Sequence, residues 1–226
     1  MIKHLFLDFG GCIDSPGIHT RTLFFREFAG RGLVPAADRA AFQDAYTAAD
    51  RRMMQTGEAR ELALEDFNRF QARLIREALG ATDSDAWLGA ADAVSEAQAR
   101  WILHASRVLR EMANDWPISL ISNFTGNLEV ILREFEIRDV FYSVTESFYV
   151  GFSKPDVRIF QVALAAQTHV PAECLYVGDN PKNDIAPASS LGMKSALIHA
   201  PGEKKECGAD AYVTDLAELP RVIQSM

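Results

Sequence analysis

A chain of 226 residues, 48% hydrophobic and 24% charged, can bury a full core, either as one large domain or as a domain carrying an insertion. Its formal charge of −8 leaves no broad basic field, which argues against nucleic-acid or anionic-membrane partners but permits a small anionic substrate held by a few local cations. Cys12, Cys174 and Cys207 match no disulfide or zinc pattern and no apolar run approaches membrane-span length, so a reducing, cytoplasmic setting is expected.

The first element is "IKHLFLDF" (2–9), an apolar run that reads as a buried parallel strand ending in Asp8 rather than as a targeting segment. From about 16 to 105 there is no convincing strand. Turn signals at "GRGLVP" (30–35), "QTG" (55–57) and "GATDSD" (80–85) divide this stretch into roughly four helices. The clearest is "LEDFNRFQARLIREAL", with Leu64, Phe67, Phe70, Leu74, Ile75 and Leu79 along one stripe. The predicted organisation is a core formed by 1–15 and 106–226, interrupted by a helical unit over 16–105.

Strands resume at "PISLISN" (117–123), followed by a helix in which Leu128, Ile131, Leu132 and Phe135 share a face. A weaker strand, "FYSVTES" (141–147), precedes "KPDVRIFQVALAAQ", where Pro155 suits a first helical turn and Val157, Phe160 and Leu164 repeat at helical spacing. "CLYVGD" (174–179), "KSALIHA" (194–200) and the weaker "AYVT" (211–214) complete the set. Strands alternating with helices of this length predict right-handed crossovers and a doubly wound α/β sheet, whose chemistry sits at the carboxyl ends of the strands.

Polar residues gather at those ends. The first strand delivers Asp8, the second Ser122 and Asn123, "GFSKPD" delivers Lys154 at a helix start, and "GDNPKND" delivers Asp179 and Asp184. Each alone has a plain structural reading: a turn, a helix cap, a solvated lysine, an acidic surface loop. Together they make a kit for phosphoryl transfer with a metal. Asp8 and Asp179 offer the hard oxygens that Mg²⁺ prefers, Ser122 and nearby helix-start amides can hold phosphoryl oxygens, and Lys154 can neutralise charge on phosphate and nucleophile.

"DFGGCIDS", "LISN", the "KPD" of "GFSKPDVRIF" and "VGDNPKNDIAPASSLGM" resemble, in order and spacing, the four motifs of the haloacid dehalogenase-like (HAD) hydrolase superfamily. The helical stretch falls where that family carries its C1 cap. The resemblance implies a Rossmann-like parallel-sheet core with an inserted helical cap, and a Mg²⁺-dependent phosphatase of a small phosphorylated metabolite. In it Asp8 would attack phosphorus to form an aspartyl-phosphate, Ser122, Asn123 and Lys154 would bind the phosphoryl group, and Asp8, Asp179, Asp184 and the carbonyl of Gly10 would hold the ion. His19, where the chain enters the cap, is a further candidate for substrate contact.

At position 10 the family carries a second aspartate, whose side chain protonates the leaving group. Gly10 keeps the carbonyl and lacks the acid; Cys12 replaces the usual threonine. Three readings compete: phosphatase, other HAD chemistry, and a non-catalytic binding scaffold. Dehalogenation needs no metal, and dehalogenases of this type lack the acid corresponding to Asp179. Phosphonate hydrolysis needs a cap lysine, and this chain has none between Lys3 and Lys154. An impaired enzyme that favours good leaving groups is the expectation for Gly10, because loss of a general acid costs about 10² to 10⁴ in rate and not the whole enhancement.

Overall fold

Strand β1 (His4–Leu7) is buried along its whole length, and its alternation divides the core in two. Leu5 and Leu7 join an apolar cluster with Ile102, Leu109, Ile131 and Leu219, while Phe6 joins Ile121, Phe160, Tyr176 and Met193 on the opposite face. A strand sandwiched this way needs apolar residues at every position, which is why it reads as a continuous run. The computed structural model describes residues 1–203 and 206–226.

The remaining strands are β2 (Ile118–Ser122), β3 (Phe141–Glu146), β4 (Cys174–Gly178), β5 (Lys194–Ile198) and β6 (Ala211–Val213). All pair in parallel, in the order β3-β2-β1-β4-β5-β6. The fold is the expected Rossmann-like sheet, with β1 between β2 and β4, so the ends of those three strands meet.

Four helices leave and re-enter the sheet between β1 and β2: α1 (Thr20–Gly30), α2 (Arg39–Thr56), α3 (Leu64–Leu79) and α4 (Ser84–Met112). Gly57 and Gly80 terminate α2 and α3 in the left-handed conformation, and Asp83 caps α4 by accepting from the Ala86 amide. Their shared core is Phe24, Phe28, Phe42, Phe67, Ile75 and Trp87 with their neighbours; Phe24, Phe28, Phe42 and Trp87 pack within it, and Phe67 also borders the cavity described below. α4 does not stop near residue 105; it runs unbroken to Met112, where Ile102 and Leu109 already belong to the sheet's core.

Side chains also join this helical unit to the sheet. The Leu64 amide donates to Glu134 Oε2 at 2.9 Å, and Asn127 Nδ2 donates to Leu62 O at 3.0 Å. Helices α5 (Leu128–Glu134), α6 (Ser147–Val150), α7 (Val157–Ala165), α8 (Ala186–Ser190) and α9 (Leu219–Gln224) cover the sheet's faces and edges. Among the described residues, no helix is long and apolar enough to cross a membrane.

Candidate active site

The carboxyl ends of β1, β2 and β4 bring Asp8, Ser122 and Asp179 together, and the short π turn Pro181–Ile185 adds Asp184. Carboxylate oxygens of Asp8, Asp179 and Asp184 all lie within 4.8 Å of one another, and all three residues are buried. Lys154, from the loop before α7, places Nζ 2.9 Å from Asp8 Oδ2 and 2.7 Å from Asp184 Oδ1. Its third donor reaches the Tyr176 hydroxyl at 2.9 Å. Burial pulls the lysine ammonium toward neutrality, but the Asp184 and Asp8 carboxylates outweigh it and hold the pKa above the usual lysine range. The two carboxylates thus favour the charged ammonium over the neutral amine.

Asp8 is fixed from both sides. Its Oδ1 accepts from the Phe9 amide at 2.8 Å and from Ser122 Oγ at 2.9 Å. Asn123 turns its side chain toward Lys154: Oδ1 accepts from the Lys154 amide at 2.7 Å and Nδ2 donates to the Lys154 carbonyl at 2.9 Å. That reciprocal pair uses both ends of the Asn123 amide to set the lysine backbone. Asp184 is held by Lys154, the Tyr176 hydroxyl at 3.1 Å and the Asn180 amide at 2.9 Å.

The glycines of the first motif have separate jobs. Gly11 has φ +76°, and a Cβ there would lie 2.5 Å from Asp179 Cγ, so only glycine lets this turn and that carboxylate approach each other. Gly10 is not in the left-handed region; a Cβ on it would come 3.0 Å from Thr20 Oγ1. That hydroxyl donates to Asp14 Oδ2 at 3.1 Å, and Asp14 also accepts from Gln98 Nε2 at 2.7 Å and the Gly11 amide at 2.6 Å. Burial pushes the Asp14 carboxyl up to about 6 against these three hydrogen bonds. Burial likewise raises the Cys12 thiol, which stays protonated.

Above the carboxylate floor is a cavity of about 410 Å³. It is lined by Asp8, Gly10, Ser122, Asn123, Lys154, Asp179 and Asp184 below, and by His19, Arg21, Tyr46 and Asp50 from the helical unit. All eight candidates from the sequence thus border one space. His19 is half-buried and caps α1, its Nδ1 accepting from the Arg21 amide at 3.2 Å. Sequence reasoning missed Tyr176, Tyr46 and Asp50. Tyr176 lies inside an apolar strand run, and Asp50 is an isolated acid on a helix; neither pattern announces a site.

The donor set suits a hard divalent cation. Three buried carboxylates share one ammonium at the floor, so with all four ionised the cluster is two charges short of neutrality. A magnesium-sized dication would close that balance.

Comparison with known proteins agrees with the geometry. The chain shares 39% identity over 84 residues with human "Haloacid dehalogenase-like hydrolase domain-containing protein 3", covering 37% of this chain and 34% of that protein. It shares 38% over 72 residues with the phosphoserine phosphatase of Thermus thermophilus, covering 31% and 29%. These matches span about a third of each relative's length. The fold superposes on the 2-haloacid dehalogenase of Pseudomonas syringae pv. tomato DC3000 with a TM-score of 0.57 at 21% identity, over 100% of this chain and 99% of that one. Such a likeness speaks for the fold alone. A family model for haloacid dehalogenase-like hydrolases matches residues 2–192. With three strand ends converging on one acidic floor and that match spanning most of the sheet and the whole helical unit, the chain belongs to the haloacid dehalogenase-like hydrolases.

Proposed function

We propose that the protein is a Mg²⁺-dependent phosphatase of a small phosphorylated metabolite, with helices α1–α4 acting as its cap. The observation that carries this reading is Asp179, a third carboxylate beside Asp8 and Asp184. Displacement of halide from carbon would give it no task, whereas a metal that neutralises a phosphate ester needs it. The phosphoserine phosphatase among the relatives points the same way.

Asp8, Asp179, Asp184 and the Gly10 carbonyl would hold the ion, which when bound supplies positive charge against the phosphoryl oxygens. Asp8 attacks phosphorus; the bond to the ester oxygen breaks and its electron pair leaves with that oxygen. Lys154 keeps the attacking carboxylate ionised and offsets the charge that develops. Ser122 orients Asp8 and faces the phosphoryl oxygens. Water then attacks the same phosphorus, breaks the acyl–phosphate bond and regenerates Asp8. No side chain on Gly10 can protonate the departing oxygen, so esters with stable oxyanions turn over fastest.

The test is a panel of small phosphate esters and p-nitrophenyl phosphate, assayed with Mg²⁺ and with chelator. Hydrolysis with Mg²⁺, lost on chelation and abolished in Asp8→Asn, is expected. Unchanged turnover in Asp8→Asn would refute the mechanism, since a strand-end amide is nearly isosteric and leaves the fold intact.

A further inference from the structure

The roof of the cavity carries two charged groups that the hydrolytic steps leave unused. Arg21 at the start of α1 and Asp50 near the end of α2 both face it, each half-buried. They are near enough for the Arg21 charge to act on Asp50, yet they form no ion pair within 4.0 Å. Arg21 Nη1 donates to Thr47 Oγ1 at 3.3 Å, while its Nε is buried without a hydrogen-bond partner among the described residues. Asp50 Oδ1 accepts from Gln71 Nε2 at 2.6 Å, and the other end of that amide, Gln71 Oε1, is also buried without a partner. Folding alone gives no reason to hold a guanidinium and a carboxylate near each other without an ion pair between them, with a buried donor, Arg21 Nε, and a buried acceptor, Gln71 Oε1, unmet.

We infer that Arg21 and Asp50 form the leaving-group subsite, and that the substrate is a phosphorylated acid whose carboxylate lies beside a hydrogen-bond donor, either hydroxyl or ammonium. The inference rests on the phosphatase reading and names its substrate class. A guanidinium is a planar fork that matches a carboxylate with two parallel hydrogen bonds, and the unmet Nε–H is one tine of that fork. A carboxylate with one oxygen already held by Gln71 can take a donor on the other. Burial pushes the Asp50 carboxyl up to about 7 against the pull of Arg21 and Gln71, and a donor on its other oxygen would offset that burial. The floor binds the phosphoryl group and the roof reads the acid, so the two ends of a short molecule are held at once. A neutral polyol offers Arg21 single hydroxyl acceptors but neither a charge nor a matched pair of oxygens, so its phosphate satisfies the fork less well in the closed site.

The experiment compares kcat/KM for 3-phosphoglycerate, phosphoserine and glycerol 3-phosphate, with p-nitrophenyl phosphate as reference. The acids should be preferred over glycerol 3-phosphate by tenfold or more, expressed mainly in KM, and Arg21→Met should bring that ratio near one. Arg21→Lys, which keeps the charge and loses the fork, should fall between. Asp50→Asn should lower kcat/KM for the acid whose donor it meets, more for phosphoserine if that donor is ammonium and more for 3-phosphoglycerate if it is hydroxyl. Calorimetric titration with free glycerate gives a readout independent of turnover: saturable binding in the wild type, lost in Arg21→Met. Wild-type protein that hydrolyses p-nitrophenyl phosphate but shows no preference for the acids, or keeps the preference without Arg21, overturns the subsite while the phosphatase stands. Glycerate binding through Arg21 with no hydrolysis of any ester would instead retain the subsite and sink the phosphatase.

Discussion

Lys154 and Asp184 form an ion pair of 2.7 Å in which both side chains are almost wholly withdrawn from water, at 2% and 0% exposure. Removing one partner of such a pair strands the other, at a cost of about 3–5 kcal/mol. Lys154→Met should therefore lower stability by that order in urea unfolding as well as abolish turnover. The double variant Lys154→Met with Asp184→Leu should recover part of the stability, because Asp8 still loses its ammonium partner, and none of the activity. A single variant as stable as the wild type would mean that Asp184 is not ionised in the folded chain.

Without a cation, the crowded carboxylates of Asp8, Asp179 and Asp184 repel one another. Asp179→Asn should thus melt at a higher temperature than the wild type in chelator. Mg²⁺ should raise the wild-type melting temperature by mass action and raise that of the variant much less, as followed by scanning calorimetry. Equal shifts in both proteins would remove Asp179 from the metal site.

Gly10 is the position where a restored acid should do most. Its backbone is not left-handed, and an added Cβ meets only the Thr20 hydroxyl, at 3.0 Å, which a small shift of that side chain relieves. Gly10→Asp should speed hydrolysis of alkyl phosphates selectively, by ~10²-fold or more, and aryl phosphates far less. The wild type should show the matching signature: a steep dependence of rate on leaving-group pKa. A flat dependence, with chemistry rate-limiting, would place an acid elsewhere in the cavity.

His4 makes stability sensitive to acid far from the site. It is buried between Ser119, whose Oγ lies 2.9 Å from Nε2, and the Phe6 ring stacked at 4.6 Å. Burial, with the charge of neighbouring His169, lowers its pKa to about 4 from 6.5. The unfolded chain then binds a proton more readily than the folded one, so folding stability falls as pH drops from about 6.5 to about 4. His4→Gln should flatten that limb of the pH–stability curve while leaving the alkaline side unchanged, measured by urea midpoints across pH.

The parts legible in the sequence were those governed by burial. β1, β2, β4 and β5 are covered on both faces, so each had to be an apolar run, and each ended in polar residues where the sheet opens. β3 is an edge strand whose middle residues, Tyr142 to Val144, are exposed or half-buried, and β6 is a three-residue edge strand, which is why both gave weak signals. The extent of α4 was hidden because no glycine or proline marks where it passes from the helical unit to the sheet. The floor of the cavity was readable because its residues end strands. The roof was readable only at its edge: His19 stood out where the chain enters the helices, whereas Asp50 is an isolated acid on α2, where a charged residue ordinarily faces water, and only the packing of α1–α4 over the sheet turns it inward.

Asp14 gives the two halves of the molecule a common pivot. It accepts from Thr20, where the chain has just left the sheet, and from Gln98 on α4, by which the chain returns. Both crossings are pinned to one carboxylate that is 1% exposed and is itself anchored to the Gly11 turn. Any movement of the helical unit that keeps these hydrogen bonds must turn about Asp14. The turn that carries Gly10 and Gly11 then stays with the sheet, and displacement grows with distance from that one carboxylate.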